Sequence, residues 1–323
     1  MGDDPRTQGF DVNVGGTHKG HPPTYFSPYR NVNLTDGEKG EYLTDRLTQE
    51  AISFVEKNKD KPFFLYLQYF TVHTPLQGKK ELVEKYRAKI KKNKRFNAKF
   101  GAIVESMDEN IGKLLGALEA NNLTDNTMVV FYSDNGGLAQ VSSQSPLRAG
   151  KGSYYEGGIR VPCIIRWPNK IKESRSIEEP ITGLDFYPTL MDVVGNTNNY
   201  ELNGVSLLPM LTQNKKLEER SLFWHFLIYL EGVNPKKDEA RDPLFRTRPG
   251  SVIRKGDWKL HHYFENDEYE LYNLALDLGE KNDLSQTNPE KLKELLNELN
   301  EWRAQNNAPI PTTLNHEYID ISE

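Results

Sequence analysis

The chain has 323 residues, enough to bury a sizeable core as one large domain or a large domain with a small one. Its formal net charge is −5 and it has no extended basic tract, which gives no ground for a nucleic-acid partner. No run of about eighteen apolar residues exists to span a membrane as a helix, and the polar, Gly-rich N-terminus shows no signal-peptide stretch.

Residues 1–40 are rich in Gly, Pro, Asn and Asp, with aromatics at Phe10, Tyr25, Phe26 and Tyr29. They read as a long ordered loop, and loops of that length in compact domains are usually functional. From Thr44 to Asn58 the apolar positions Leu47, Ala51, Ile52 and Val55 fall at helical spacing. The aromatic run Pro62 to Phe70 is continuously apolar and predicts a strand buried on both faces. The Lys89 to Arg95 cluster reads as a solvated helix face or loop rather than a binding patch.

A long helix is predicted from Asn97 to Asn121, through Ile103, Met107, Ile111, Leu114, Leu115 and Leu118. Thr127 to Tyr132 and Val161 to Arg166 follow as two further buried strands, the second holding the single cysteine, Cys163, as a small hydrophobe. Helices alternating with apolar strands predict a parallel α/β sheet. The texture changes after about residue 215. Ser251 to Leu260 predicts a strand or a hairpin with a turn at Lys255-Gly256-Asp257, Glu270 to Leu274 a short strand, and Pro289 to Gln305 an amphipathic helix. This last part reads as a smaller α+β domain.

Three segments carry chemistry. Ser133-Asp134-Asn135-Gly136-Gly137 follows the second strand, and ligands of open α/β sheets gather at such strand ends. Asp134 and Asn135 offer a carboxylate and an amide oxygen suited to a hard divalent cation, while the glycines let the backbone turn and approach a ligand. The plain alternative is an Asn-Gly turn that only reverses the chain. His73, in Thr71-Val72-His73-Thr74-Pro75, sits just past the first strand, either as a structural histidine or as a second polar group in the same crevice. The third segment, Leu147 to Pro162, is dense in glycine and suggests a loop shaped around an anion, with Lys151 as a point charge and Glu156 paired with Arg160 to brace it.

Taken together these segments resemble the sulfatase family within the alkaline-phosphatase-like superfamily. The strand end Ser133 to Gly137, the intervening Pro146-Leu147-Arg148 and the Lys151 to Pro162 loop match in order and spacing. Arg254 to Leu260, Glu270 to Leu274 and Asp277 to Asn282 resemble the family's small C-terminal domain. The resemblance implies an α/β fold, a mostly parallel sheet sandwiched by helices, with residues 1–215 in the catalytic domain and 216–323 as the small subdomain. It implies that Asp134 and Asn135 ligate calcium (magnesium in some members). His73 would contact sulfate or the leaving group as donor or general acid, and Lys151 would hold a sulfate oxygen. Trp224-His225 and the Arg241 to Arg248 loop offer further substrate contacts, His225 above all, or else serve packing and surface roles.

The chain lacks several elements of the family pattern. The family's formylglycine nucleophile comes from C-x-P-x-R or S-x-P-x-R, and no such motif occurs here. Cys163 precedes Ile164-Ile165-Arg166, while Ser27-Pro28-Tyr29-Arg30 and Ser145-Pro146-Leu147-Arg148 have the wrong spacing. The paired aspartates of the first family strand lack a counterpart, since Asp3-Asp4 follows no apolar strand. The expectation is a sulfuric-ester hydrolase, acting on sulfated sugars or aryl sulfates, whose N-terminal part is absent and whose missing half is its partner. Two oxygen ligands alone predict weak metal binding. The alternative is a non-catalytic protein that binds sulfated glycans. A phosphatase of the same superfamily fits less well, lacking the extra Asp and His ligands of two-metal relatives. The family also implies a periplasmic or secreted location; Asn33-Leu34-Thr35 and Asn122-Leu123-Thr124 are glycosylation sequons of a kind that arises often by chance.

Overall fold

A computed structural model describes residues 4–90, 97–171, 174–196, 201–232 and 239–313. Most of the Lys89 to Arg95 cluster lies outside them. The chain divides into two compact units, one of residues 1–129 with 165–172 and the other of 130–164 with 173–323.

The first unit is built on helices α1 (Leu43–Asn58), α2 (Lys80–Ile90) and α3 (Ala98–Ala120). Asn97 caps α3 with its side-chain oxygen, which accepts from the N–H groups of Lys99 and Phe100. The loop before α1 is ordered by its aromatics. Tyr25, Tyr29, Leu34, Tyr42, Leu43 and Leu47 form a buried cluster on which Leu67, Tyr69 and Phe70 pack. Asp45 ties the unit together by receiving the Lys79 ammonium at 2.7 Å and the Asn110 amide at 2.7 Å.

Residues 62–70 correct the expectation of a strand buried on both faces. The segment joins no ladder among the described residues, and its side chains alternate. Phe63 meets Phe54 edge-on and Tyr69 bonds Thr48 at 2.7 Å, whereas Phe64 and Tyr66 are 56% and 64% exposed. Continuous hydrophobicity signals capacity for two-sided burial. Here only one side has been covered.

The second unit carries the short helices α4 (Glu156–Ile159), α5 (Phe186–Val193) and α6 (Leu208–Gln213) and most of a two-stranded sheet, β1 (Val129–Tyr132) with β2 (Cys163–Arg166). These strands are also less buried than expected: Ile164 is 62% exposed, and Cys163 is half-buried with its thiol pushed up in pKa by that burial. The centre of the unit is a four-stranded antiparallel sheet ordered β3 (Ser221–Phe226), β6 (Gly250–Lys255), β7 (Trp258–Tyr263), β8 (Glu268–Asn273). The pair β4 (Leu230–Glu231) and β5 (Phe245–Thr247) stands apart from it.

The period of two divides this sheet into unlike faces. Phe223, Ile253, Leu260 and Leu271 lie opposite one another across the four strands. They pack on Leu295 and Leu299 of α7 (Pro289–Gln305). On the alternate face the register aligns Arg254, Lys259 and Tyr272 in one row and Val252, His261 and Glu270 in the next. One face is an apolar seat for a helix; the other is charged. No helix among the described residues is long and apolar enough to cross a membrane.

Candidate functional site

The glycine-rich loop from Arg148 to Arg160 is fastened to the charged face of the four-stranded sheet. Lys259, with no exposed surface, places its ammonium 3.0 Å from Glu156 and 2.8 Å from Glu280. Glu280 also accepts the backbone N–H of Glu156 at 2.6 Å and lies 3.4 Å from His261 Nε2. Burial alone would raise the Glu280 pKa, but the adjacent Lys259 charge and His261 hold it at about 2. Burial likewise pushes the His261 pKa down, against the pull of Glu280.

Arg148 anchors the other end of the loop. Its guanidinium lies 3.9 Å from the Tyr155 ring centre and donates to the Glu280 carbonyl at 2.8 Å. Arg160 does pair with Glu156, at 3.7 Å, but it is half-exposed, and the fully buried Lys259 is the tighter partner. Sequence reasoning missed Lys259 and Glu280. The signal was present: a lysine flanked by Trp258 and Leu260 in a strand is out of place unless it has a buried counter-charge.

This brace positions Lys151. The Lys151 N–H donates to the Gly137 carbonyl at 2.9 Å, and the Gly136 N–H donates to the Gly158 carbonyl at 2.9 Å. The loop and the Asp134–Asn135 turn are therefore joined by two backbone hydrogen bonds. Glycine is required at Gly136, where a Cβ would run into the Gly157 carbonyl oxygen. Tyr132 at the end of β1 packs edge-on against Phe186 at 4.9 Å, which steadies the strand feeding the turn.

In that turn Ser133 donates to the Asn135 carbonyl at 3.0 Å, and the Asn135 amide nitrogen donates to Gly136 O at 3.1 Å. The Asn135 side-chain oxygen has no hydrogen-bond partner among the described residues. Asp134 is exposed, and its carboxylate has no hydrogen-bond or ion-pair partner among the described residues. Both fit a hard cation in donor type. In number they fall short, because no cluster of three or more His, Cys, Asp or Glu suited to a metal occurs among the described residues.

His73 lies in the first unit. Its Nδ1 is 3.0 Å from the Thr74 carbonyl and 3.2 Å from the Thr74 hydroxyl, and its Nε2 has no hydrogen-bond partner among the described residues. The imidazole of His21 stacks on it, centroids 5.7 Å apart and planes 16° from parallel. His225 is placed differently. It stands on the α7 side of the sheet, opposite the face that holds the Lys151 loop. Its Nδ1 is bonded to Ser251 at 2.7 Å and its Nε2 to the Pro309 carbonyl at 2.9 Å, so both nitrogens are already engaged. The structure thus groups Asp134, Asn135 and Lys151 and leaves His225 apart from them. Among the loop arginines, Arg241 covers the Tyr263 ring at 4.4 Å and Arg248 pairs with Asp242 and Glu265, both packing roles.

The sulfatase family model matches residues 3–196, and the C-terminal model of N-sulphoglucosamine sulphohydrolase matches residues 150–306. A sulfatase of Formosa agariphila is 35% identical over 313 residues, covering 87% of this chain and 54% of the relative. Human steryl-sulfatase is 28% identical, covering 83% of this chain and 48% of its own length. The chain spans about half the length of these relatives. The crystal structure of Ps i-CgsB in complex with k-i-k-neocarrahexaose superposes with a TM-score of 0.72 at 32% identity, over 93% of this chain and 67% of that one. The fold is accordingly the α/β fold of alkaline-phosphatase type, and the matched models, relatives and structure together place this chain in the sulfatase family.

Proposed function

We propose that this chain contributes the anion-binding and acid half of a sulfuric-ester hydrolase acting on sulfated carbohydrate. The observation that carries it is the Lys151 loop, hydrogen-bonded to a turn whose Asp134 carboxylate and Asn135 side-chain oxygen have no partner among the described residues. The carbohydrate class is supported by the neocarrahexaose bound to the similar Ps i-CgsB. The division at residue 215 is retained as a proposal, since the four-stranded sheet and α7 follow it.

Each residue has a role its chemistry can fill. The Lys151 ammonium offsets charge on a sulfate oxygen, where a positioned cation is most effective as negative charge develops in the transition state. Its side chain has no partner among the described residues, whereas its backbone is fixed by Gly137 and by Arg246, which donates to the Lys151 carbonyl at 3.2 Å. His73, with Nδ1 held by Thr74, presents Nε2 to a ligand and can donate from it to a leaving oxygen. Asp134 and Asn135 would hold a calcium or magnesium ion, which when bound neutralises sulfate charge.

The nucleophile is assigned to residues outside these 323, because the sequence contains no C-x-P-x-R or S-x-P-x-R. The same absence favours the second reading, a glycan-binding protein without catalysis. An assay with 4-nitrophenyl sulfate and titration with sulfated oligosaccharide separate the possibilities. Binding without turnover by this chain, and turnover once a formylglycine-bearing N-terminal segment of a relative is supplied, is the expected result. Binding with no turnover under either condition favours the glycan binder, and robust turnover by this chain alone contradicts the assignment of the nucleophile.

A further inference from the structure

His21 is an exposed histidine in a loop that packing has fixed over His73. The adjoining residues leave it little freedom. Pro22 and Tyr25 are buried, and the Tyr25 hydroxyl donates to the Phe70 carbonyl at 2.6 Å and lies 3.0 Å from that of His73. Gln77, just beyond His73, accepts from the Thr24 hydroxyl at 3.0 Å and from the Tyr25 N–H at 2.8 Å. Tyr42 donates to the Gln77 carbonyl at 2.9 Å, so residues 22–25 and 70–77 form one clamped piece. The 5.7 Å stack is therefore set by the core of this unit.

We propose that His21 is a second substrate-contacting imidazole, donating to the same sulfate ester that His73 contacts, a proposal that rests on the sulfate-ester reading of His73. Two near-parallel imidazoles whose centroids are 5.7 Å apart are close enough to offer hydrogen-bond donors to two oxygens of one tetrahedral anion. No hydrogen bond or ion pair engages the His21 ring among the described residues, so its donors remain available to a ligand. Nor does the packing that holds its backbone use the imidazole, since every clamping bond comes from residues 24, 25, 42 and 77.

The test is a titration of the full chain with 4-nitrophenyl sulfate, read from the imidazole resonances by NMR and repeated in His21→Phe and His21→Gln. Signals of His21 and His73 should move with one common Kd. His21→Phe keeps the stack but removes the donors and should weaken binding about ten-fold, the scale of one hydrogen bond to a charged group. His21→Gln restores a donor and should recover most of that loss. A His73 response with a silent His21, or affinity rescued by Phe and not by Gln, shows that His21 is only packing and overturns the proposal. Silence from both histidines overturns the sulfate reading of His73 itself.

Discussion

The backbone N–H of Lys151 donates to the carbonyl of Gly137 over 2.9 Å, so the loop bearing the cation and the turn bearing the oxygen donors move as one hydrogen-bonded piece. This relationship makes Gly136 a sensitive position. Gly136→Ala would push its Cβ against the Gly157 carbonyl and separate the two segments. Affinity for a sulfate ester should fall at least ten-fold, measured by calorimetry, while the α7-packed sheet keeps its far-ultraviolet signal. Unchanged affinity would show that the turn and the loop act independently.

The buried charges beneath the loop should be costly to break. Lys259→Met leaves Glu156 and Glu280 facing each other without their shared cation, and loss of a buried partner typically costs about 3–5 kcal/mol. Glu280→Gln leaves Lys259 with Glu156 still in place, so its cost should be smaller, roughly 2–3 kcal/mol. Urea melts of the two variants test the order. A milder effect for Lys259→Met would mean that the cluster is not held by its cation.

Acid should weaken the same region. Glu280 is held at about 2 against an ordinary 4.5, so across that interval the unfolded chain binds the additional proton. The stability it supplies is complete above about 4.5 and is lost as pH falls toward about 2. His261, lowered from 6.5 by burial, adds to the trend, because below 6.5 the unfolded histidine takes up a proton before the folded one does. The thermal midpoint should therefore drop steadily from about pH 7 to about pH 2, and Glu280→Gln should flatten the part of the curve below about pH 4.5. Equal slopes in both proteins would exclude Glu280 as a source.

On the opposite face the sheet depends on ordinary packing. Leu295 is fully buried against Ile253, Leu260 and Leu271, so Leu295→Ala should cost roughly 2–5 kcal/mol in a denaturant melt. An effect below about 1 kcal/mol would mean that α7 is not a true part of the core.

Local pattern made much of this legible. The spacing of Leu47, Ala51 and Val55 marked α1, Asn97 sits where it caps α3, and the Lys255-Gly256-Asp257 turn signal falls between β6 and β7. The family was legible in the Ser133–Gly137 and Lys151–Pro162 motifs. Other features depend on distant partners. Lys259 and Glu156 are 103 residues apart, and no local period links them. Phe64 and Tyr66 read as interior because hydrophobicity reports what a side chain can bury against, not what is present to cover it. His225, offered beside Trp224 as a substrate contact, is turned toward α7 by strand parity, and both its nitrogens have partners.

The most direct measurement is calorimetric titration of 4-nitrophenyl sulfate into the wild-type chain and Lys151→Ala, with calcium present. The Lys151 side chain bonds to nothing among the described residues, so its removal should leave the melting temperature unchanged while affinity falls at least ten-fold. Equal affinity in the two proteins would contradict the assignment of Lys151 as the sulfate-binding cation, and with it the proposed role of this chain.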